Sequence, residues 1–404
     1  MNKIDLIKQP VEKELEEFRG LFENSLTSTD PLLGEVLAYI KKRSGKMMRP
    51  ILVMLTAKLF GTLNQSTFHA ALSLELLHTA SLVHDDVVDE SDKRRGQSSV
   101  NAIYNNKVSV LVGDYMLATS LKHAALTGKV ELVELVATLG QELSEGEILQ
   151  LGNIGKEDFS EEAYFDVIRK KTAALFKASS QSGAVSVGAV QEEVMKAGLL
   201  GEMIGIAFQI KDDIFDYFES PELGKPTGND MLEGKLTLPA LYVLNQTGDD
   251  SLKQAALKIR SLEASKEEIA DFVETVKEKG GIEYATRMMY EFRDKALALV
   301  PASVDSSLKE ALTAYIDYFS TDAETFLYDL TEILTDDELA KIGEENIIYY
   351  TTADKTRIPI AVDLTNTKVK TDTDLTLESP CYGVVVSAKN PENAIAFIRY
   401  AFDL

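Results

Sequence analysis

Along the first 320 residues apolar side chains recur at three- and four-residue spacing, and strand-like alternation is absent. This period predicts helices over Val11–Phe22, Ile51–Phe60, Phe68–Val88, Val108–Leu126, Leu132–Leu151, Ala163–Ser182, Val194–Tyr217, Pro239–Leu244, Ala255–Leu262, Lys266–Lys279 and Ile282–Leu299. Glycine and proline punctuate the joints: Gly45 and Pro50, Gly61, Gly96, Gly128, the stretch Pro221–Gly228, and Gly280–Gly281. Pro50 suits a first helical turn, where its N–H is not needed. There is no fixed-period repeat and no low-complexity segment. The expected fold is all-α, a single large helical bundle over residues 1–320.

The texture changes after about Phe319. Thr321–Leu334 still reads as helix, and Thr335–Glu338 has the spacing of a capping box. Short runs rich in β-branched and aromatic residues follow: Ile347–Thr352, Ile358–Leu364 and Tyr382–Ser387. Asn390–Pro391 then reads as the opening of a closing helix, with Ala394, Ile395, Ile398 and Phe402 on one face. Residues 321–404 are therefore expected to form a small α/β appendage, only marginally able to fold alone.

Composition narrows the function classes. Of 404 residues, 45% are hydrophobic and 26% charged, a globular balance that excludes wholesale disorder. Lys and Arg total 42 against 65 Asp and Glu, a formal charge of −23, of which the appendage carries −9. Such a surface repels nucleic-acid backbones. A small diphosphate remains possible, because a local basic cluster or a metal ion can bind one. Cys381 is the single cysteine, which leaves no intrachain disulfide and no cysteine zinc site. Met1–Pro10 lacks the apolar core of a signal peptide, and no uninterrupted apolar run reaches membrane-spanning length. A soluble cytoplasmic protein is expected.

Two acidic groups carry the chemistry. In His84-Asp85-Asp86-Val87-Val88-Asp89, Asp85 and Asp89 are four apart and share a helix face, with Asp86 beside them. Such a face suits Mg²⁺, which takes one or two carboxylates and completes its shell with water and substrate phosphate. Alone, the group could equally be a solvated acidic helix end. A second group, Gln209-Ile210-Lys211-Asp212-Asp213-Ile214-Phe215-Asp216, repeats the spacing on another strongly apolar helix. If the two helices face each other, six carboxylates line one cavity and divalent ions are almost required. Cations are interleaved: Lys46 and Arg49 at a helix start, Arg94-Arg95-Gly96, Lys170-Lys171-Thr172, and Lys225 and Lys235 after the second acidic group. Each could be a solvated surface charge. Together with the acidic groups they read as binders of two diphosphates. His78, two turns below Asp85, would point into the same cavity.

At this point the chain resembles the trans-type isoprenyl diphosphate synthases, or polyprenyl synthetases, over roughly residues 10–320. GKMMRP looks like that family's GKRxRP, and HTASLVHDDVVDESDKRRG like its first aspartate-rich motif in long-chain members. RKKTAALF, FQIKDDIFDY and GKPTGNDMLEGKLTLP match the later motifs. The resemblance implies an isoprenoid-synthase helical bundle around a central cavity. It implies that Asp85 and Asp89 bind Mg²⁺ with the allylic diphosphate, Asp86 supporting, and that Asp212 holds a further Mg²⁺ with Asp213 and Asp216 nearby. Arg94, Lys171 and Lys225 would grip the allylic diphosphate, helped by Lys235. Lys46, Arg49, His78 and Arg95 would bind isopentenyl diphosphate, and Thr172 and Gln209 would place oxygen dipoles near the developing cation. Met47 departs from the pattern, standing where the family usually has arginine.

The implied reaction is ionisation of the allylic C–O bond, attack by the double bond of isopentenyl diphosphate, and proton loss to the departing diphosphate. Ala80 and Ser81 lie one turn below Asp85. In short-chain members a bulky residue there blocks the tunnel; two small ones predict a long-chain all-trans product, suited to a quinone side chain. A homodimer is expected by the same likeness. The alternatives are a class I terpene cyclase, which would not need Lys46, Arg49, His78 and Arg95, and a non-catalytic subunit of a heteromeric synthase, which should lack the acidic groups. The likeness does not extend to residues 321–404.

Overall fold

The computed structural model describes residues 3–42, 45–94, 97–153, 156–157, 159–218 and 228–320, and the backbone of four strands between 347 and 399. The chain divides into two units, Met1–Phe218 with Thr227–Ser320, and Glu219–Pro226 with Thr321–Leu404.

The first unit is helical, as its period requires. In chain order its helices are α1 (Lys3–Lys8), α2 (Glu12–Ser25), α3 (Pro31–Lys41), α4 (Met48–Phe60), α5 (Gln65–Val88), α6 (Val100–Tyr104), α7 (Asn106–Leu126) and α8 (Val130–Asn153). Then come α9 (Glu161–Ile168), α10 (Ala174–Ser186), α11 (Gln191–Phe215), α12 (Asn229–Leu232), α13 (Leu238–Thr247), α14 (Asp250–Arg260), α15 (Lys266–Glu278), α16 (Gly281–Ala298) and α17 (Ser306–Ser320). A 3₁₀ turn at Gln9–Val11 carries Pro10 in its first residues and joins α1 to α2. Helix α3, outside the expected set, has its start set by Asp30, whose side chain accepts from the Leu33 amide at 2.8 Å. Such a cap contributes about 1 kcal/mol.

Three helices place the chemistry. Helix α5 is buried for most of its length, with Leu72, Leu74 and Leu76 fully enclosed, so its acidic C-terminal end emerges from the core. Helix α11 buries Ile206, Ala207, Ile210 and Ile214 against Leu238, Ala285, Met289 and Phe292. Helix α10 packs on both α5 and α11.

Two expectations for this unit change. The single helix expected over Ala163–Ser182 is three elements: α9, a π turn over Arg169–Ala173, and α10. The structure also contains a two-residue hairpin, β1 (Lys93–Arg94) with β2 (Gln97–Ser98), too short to leave an alternating pattern.

In the second unit the strands β3 (Ile347–Thr351), β4 (Arg357–Asp363), β5 (Gly383–Asn390) and β6 (Asn393–Arg399) form an antiparallel sheet in the order β3-β4-β6-β5. Three runs expected as strands are strands. The closing helix expected after Pro391 is instead β6, registered with Ala361–Asp363 on one side and Gly383–Asn390 on the other. A short apolar run such as Ala394–Ile398 fits either period; two neighbouring strands satisfy its backbone and decide the matter. The expected helices at Thr321–Leu334 and Thr335–Glu338 lie outside the described residues.

Candidate active site

The first acidic group splits into two environments. Asp86 is buried, and its Oδ1 accepts from Arg94 Nε at 2.6 Å. Its carbonyl accepts from the Ser91 amide and from Asn101 Nδ2. Asp86 thus anchors the β1–β2 hairpin to the end of α5, and Arg94, expected at a diphosphate, is spent on that anchor in this structure. Asp85 is half-buried and turned elsewhere. Burial first, then Glu147 and Asp89, raise its pKa, while Lys171 and Arg94 oppose them; the balance stands at about 6. Asp89 is exposed at the helix end, its amide bonded to the Asp85 carbonyl at 2.8 Å.

The π turn supplies Lys171 and Thr172. It sits between two glycines that let neighbouring backbones close in. A Cβ on Gly146 of α8 would lie 2.8 Å from the Lys171 amide nitrogen, and one on Gly205 of α11 would lie 2.6 Å from Ala173 Cα. Lys171 Nζ pairs with Glu147 Oε2 at 2.5 Å. Thr172 Oγ1 meets Gln209 Oε1 at 2.6 Å.

Within the second group the three acids also differ. Asp212 is exposed. Asp213 is buried and accepts from Tyr164 at 2.5 Å and Gln209 at 2.8 Å. Burial and Asp230 push its carboxyl well up. Asp216 caps α12, its two oxygens accepting from the Asn229 and Asp230 amides at 2.9 and 3.1 Å. Burial and Asp230 raise it to about 7. Lys235 pairs with Glu233 at 2.5 Å. Burial opposes its charge, yet Glu233, Asp230 and Asp89 lift it above the usual lysine range.

The charge of Lys171 therefore acts on Asp85 of α5 while its neighbour Thr172 binds α11, and the charge of Asp89 acts on Lys235. Both acidic groups and two of the expected cations share one end of the bundle.

A second cationic region lies at the start of α4. Lys46 Nζ is 3.4 Å from Tyr318 Oη and 5.9 Å from its ring centre. The Arg49 guanidinium stands 5.9 Å from the Phe176 ring centre. His78 is buried on α5. Met47 is buried and takes a left-handed backbone, φ 57° and ψ 35°, uncommon for a residue with a side chain. Ala80 is fully enclosed, and Ser81 turns its hydroxyl back to the His78 carbonyl at 2.9 Å. Arg95 and Lys225 lie outside the described residues.

Sequence reasoning missed four participants. Glu147 and Tyr164 belong to no acidic or basic run, and only folding brings them to Lys171 and Asp213. Asp230 lay within GKPTGNDMLEGKLTLP, and its acid type was the available signal. Tyr318, whose carbonyl accepts from buried Lys211 at 2.8 Å, reads as ordinary core.

The geometry can be set beside known proteins. The family model for polyprenyl synthetase matches residues 30–276. Octaprenyl diphosphate synthase of Haemophilus influenzae is 34% identical over 322 residues, covering 79% of this chain and 97% of that protein. The crystal structure of geranylgeranyl pyrophosphate synthase from Bacteroides thetaiotaomicron is 55% identical, with a TM-score of 0.70 over 79% of this chain and 99% of that one. A decaprenyl diphosphate synthase from Rhodobacter capsulatus is 32% identical, with a TM-score of 0.74 over 78% and 98%. Likeness at this extent covers both acidic helices and the π turn between them, so the chain is a prenyltransferase and belongs to the polyprenyl synthetase family.

Proposed function

We propose that the protein condenses isopentenyl diphosphate with an allylic diphosphate, repeatedly, to give a long all-trans polyprenyl diphosphate. What supports the reading is the charge of Lys171 acting on Asp85 and that of Asp89 on Lys235, while Thr172, next to Lys171, bonds Gln209 of the second acidic helix. Residues 1–320 would be the catalytic unit and 321–404 an appendage of separate role. A cytoplasmic homodimer serving quinone side chains is the setting this reading favours.

Mg²⁺ fits the donor set. Burial and repulsion resist ionisation of Asp85 and Asp216, so their oxygens favour a divalent cation. Among the described residues no three His, Cys, Asp or Glu side chains form a cage by themselves. Mg²⁺ takes one or two protein carboxylates and completes its shell with diphosphate oxygens and water. Asp85, Asp89 and Asp212 would hold it, with Asp216 beside them. Bound there, Mg²⁺ would neutralise charge on the leaving diphosphate.

The chain's own groups do the rest. Lys171 exchanges Glu147 for the diphosphate, and Lys235 adds a second positive charge, with Lys225 completing the grip. As the C–O bond breaks, its electron pair leaves with the diphosphate. Thr172 and Gln209 present oxygen to the carbon left positive. Isopentenyl diphosphate, held by Lys46, Arg49, His78 and Arg95, offers its double bond, and the proton released after the new C–C bond forms goes to the departing diphosphate. Apolar walls keep water from the cation. Ala80 and Ser81 place no bulky side chain beneath Asp85 in the way of a growing chain.

A second reading concerns length alone. The 55% identity to a geranylgeranyl pyrophosphate synthase favours an earlier stop, at geranylgeranyl diphosphate. A cyclase or a non-catalytic subunit is not favoured. The test is an assay with farnesyl diphosphate, labelled isopentenyl diphosphate and Mg²⁺, its products sized after dephosphorylation. Labelled prenols longer than geranylgeraniol, lost at least a hundredfold in Asp85→Ala, are expected. A product ending at geranylgeraniol establishes the shorter reading, and no label in any prenol overturns both.

A further inference from the structure

The turn that opens α4 is fastened to the last turns of α17. Lys46 Nζ lies 3.4 Å from Tyr318 Oη and 5.9 Å from the centre of its ring. A lysine ammonium only donates, so the phenol oxygen accepts. One helical turn earlier, buried Tyr315 donates its hydroxyl to the Met48 carbonyl at 3.0 Å. Between these two fastenings Met47 bends the backbone into the left-handed region, with φ 57°. A side chain resists that conformation, so surrounding contacts must maintain it.

The same helix also spaces the two cations of the turn. The Tyr318 and Phe319 rings meet edge-on with centroids 5.0 Å apart, and Phe319 meets Phe176 of α10 edge-on at 5.2 Å. The Arg49 guanidinium stands 5.9 Å from the Phe176 ring centre. Lys46 and Arg49 thus rest at the two ends of one row of rings. The rings are buried, whereas Lys46 is half-buried on a flexible stem. The end of α17 is itself fixed. Buried Lys211 of α11 donates to the Tyr318 carbonyl at 2.8 Å, one of the last carbonyls of the helix, which no amide within the helix reaches.

We propose that Tyr318 is a positioning residue for isopentenyl addition: its hydroxyl holds the Lys46 ammonium at one end of the ring row, so that the cationic turn is set before isopentenyl diphosphate arrives. The inference rests on the reading of Lys46 and Arg49 as binders of that substrate. Its physical basis is that a cation already ordered loses little freedom on taking a diphosphate, while a free lysine must first be immobilised. The effect therefore belongs to the binding of one substrate, and neither to the other substrate nor to cleavage of the C–O bond.

The experiment is a double-mutant cycle on the full chain, read by binding as well as by turnover. Calorimetry with isopentenyl diphosphate alone, in EDTA, excludes both reaction and any Mg²⁺ at the acidic groups. Tyr318→Phe keeps the ring and the backbone carbonyl that Lys211 binds. It is expected to raise the Kd and the KM for isopentenyl diphosphate about fivefold. The kcat and the KM for farnesyl diphosphate should stay within about twofold. In Lys46→Met, where there is no ammonium to hold, the same change should alter Kd less than about twofold. An unchanged Kd, an equal rise in both backgrounds, or an equal rise in KM for both substrates overturns the proposal. If Tyr318→Phe does not fold, Tyr318→His replaces it in the cycle, a smaller ring without the phenol oxygen. Wild-type protein that neither binds isopentenyl diphosphate nor elongates farnesyl diphosphate overturns the prenyl-transfer reading and this inference with it. Wild-type turnover with an additive cycle overturns this inference alone.

Discussion

Asp85 and Asp86 are adjacent in sequence and opposite in role. Asp86 is enclosed with its charge matched by Arg94; Asp85 is half-buried with its charge opposed by burial, Glu147 and Asp89. Removing them should therefore move stability in opposite directions. Asp86→Ala leaves Arg94 without its anion and frees the hairpin, and should cost about 2–4 kcal/mol in urea unfolding. Asp85→Asn should raise the unfolding midpoint in EDTA at pH 8 while abolishing Mg²⁺-dependent turnover, because it removes a carboxylate that the proposed reaction needs and folding resists. A loss of stability in Asp85→Asn would contradict the assigned environment. The sequence showed both as acids on one helix end; it did not show which one had a partner, because Arg94 reaches back through a two-residue hairpin that no pattern announces.

At the scale of elements the π turn decides the site. No glycine or proline breaks the stretch around Arg169–Ala173, so the sequence reads as one helix. A π turn adds one residue to a helical turn and redirects the side chains around it, and such turns are frequent at functional sites. Here its position is held by backbone contact at Gly146 and Gly205. Gly205→Ala must push the Ala173 backbone aside. It is expected to cost about 1–3 kcal/mol of stability, and to lower kcat at least about tenfold by displacing Lys171 and Thr172. Chemical denaturation and steady-state kinetics check the two separately; unchanged kcat with lowered stability would show that the turn tolerates the shift.

For the whole molecule the relevant quantity is the crowding of negative charge at the bundle end. The folded pKa values of Asp85 and Asp216, about 6 and about 7, lie above the ordinary 3.8. Between those values the folded state holds more protons than the unfolded state, so these two groups make the metal-free protein less stable as pH rises from about 4 to 7. Above that window the loss is complete. Mg²⁺ bound by the ionised carboxylates should restore it, and the gain in Tm on adding Mg²⁺ with inorganic diphosphate should be larger at pH 8 than at pH 5.5. An equal gain at both pH values would place the ion elsewhere.

The helical class, the buried character of α5 and α11 and the two acid-bearing ends follow from the sequence alone, since apolar period and residue type are local properties. The motifs that carry the family likeness are local for the same reason. Tertiary structure decided which acid is anchored and which is exposed, because the partners Arg94, Glu147, Tyr164 and Asp230 come from other elements. It decided that Asn393–Arg399 is a strand, because neighbours on both sides satisfy its backbone. It also brought Tyr164 to Asp213, 49 positions away, a contact that no local pattern announces.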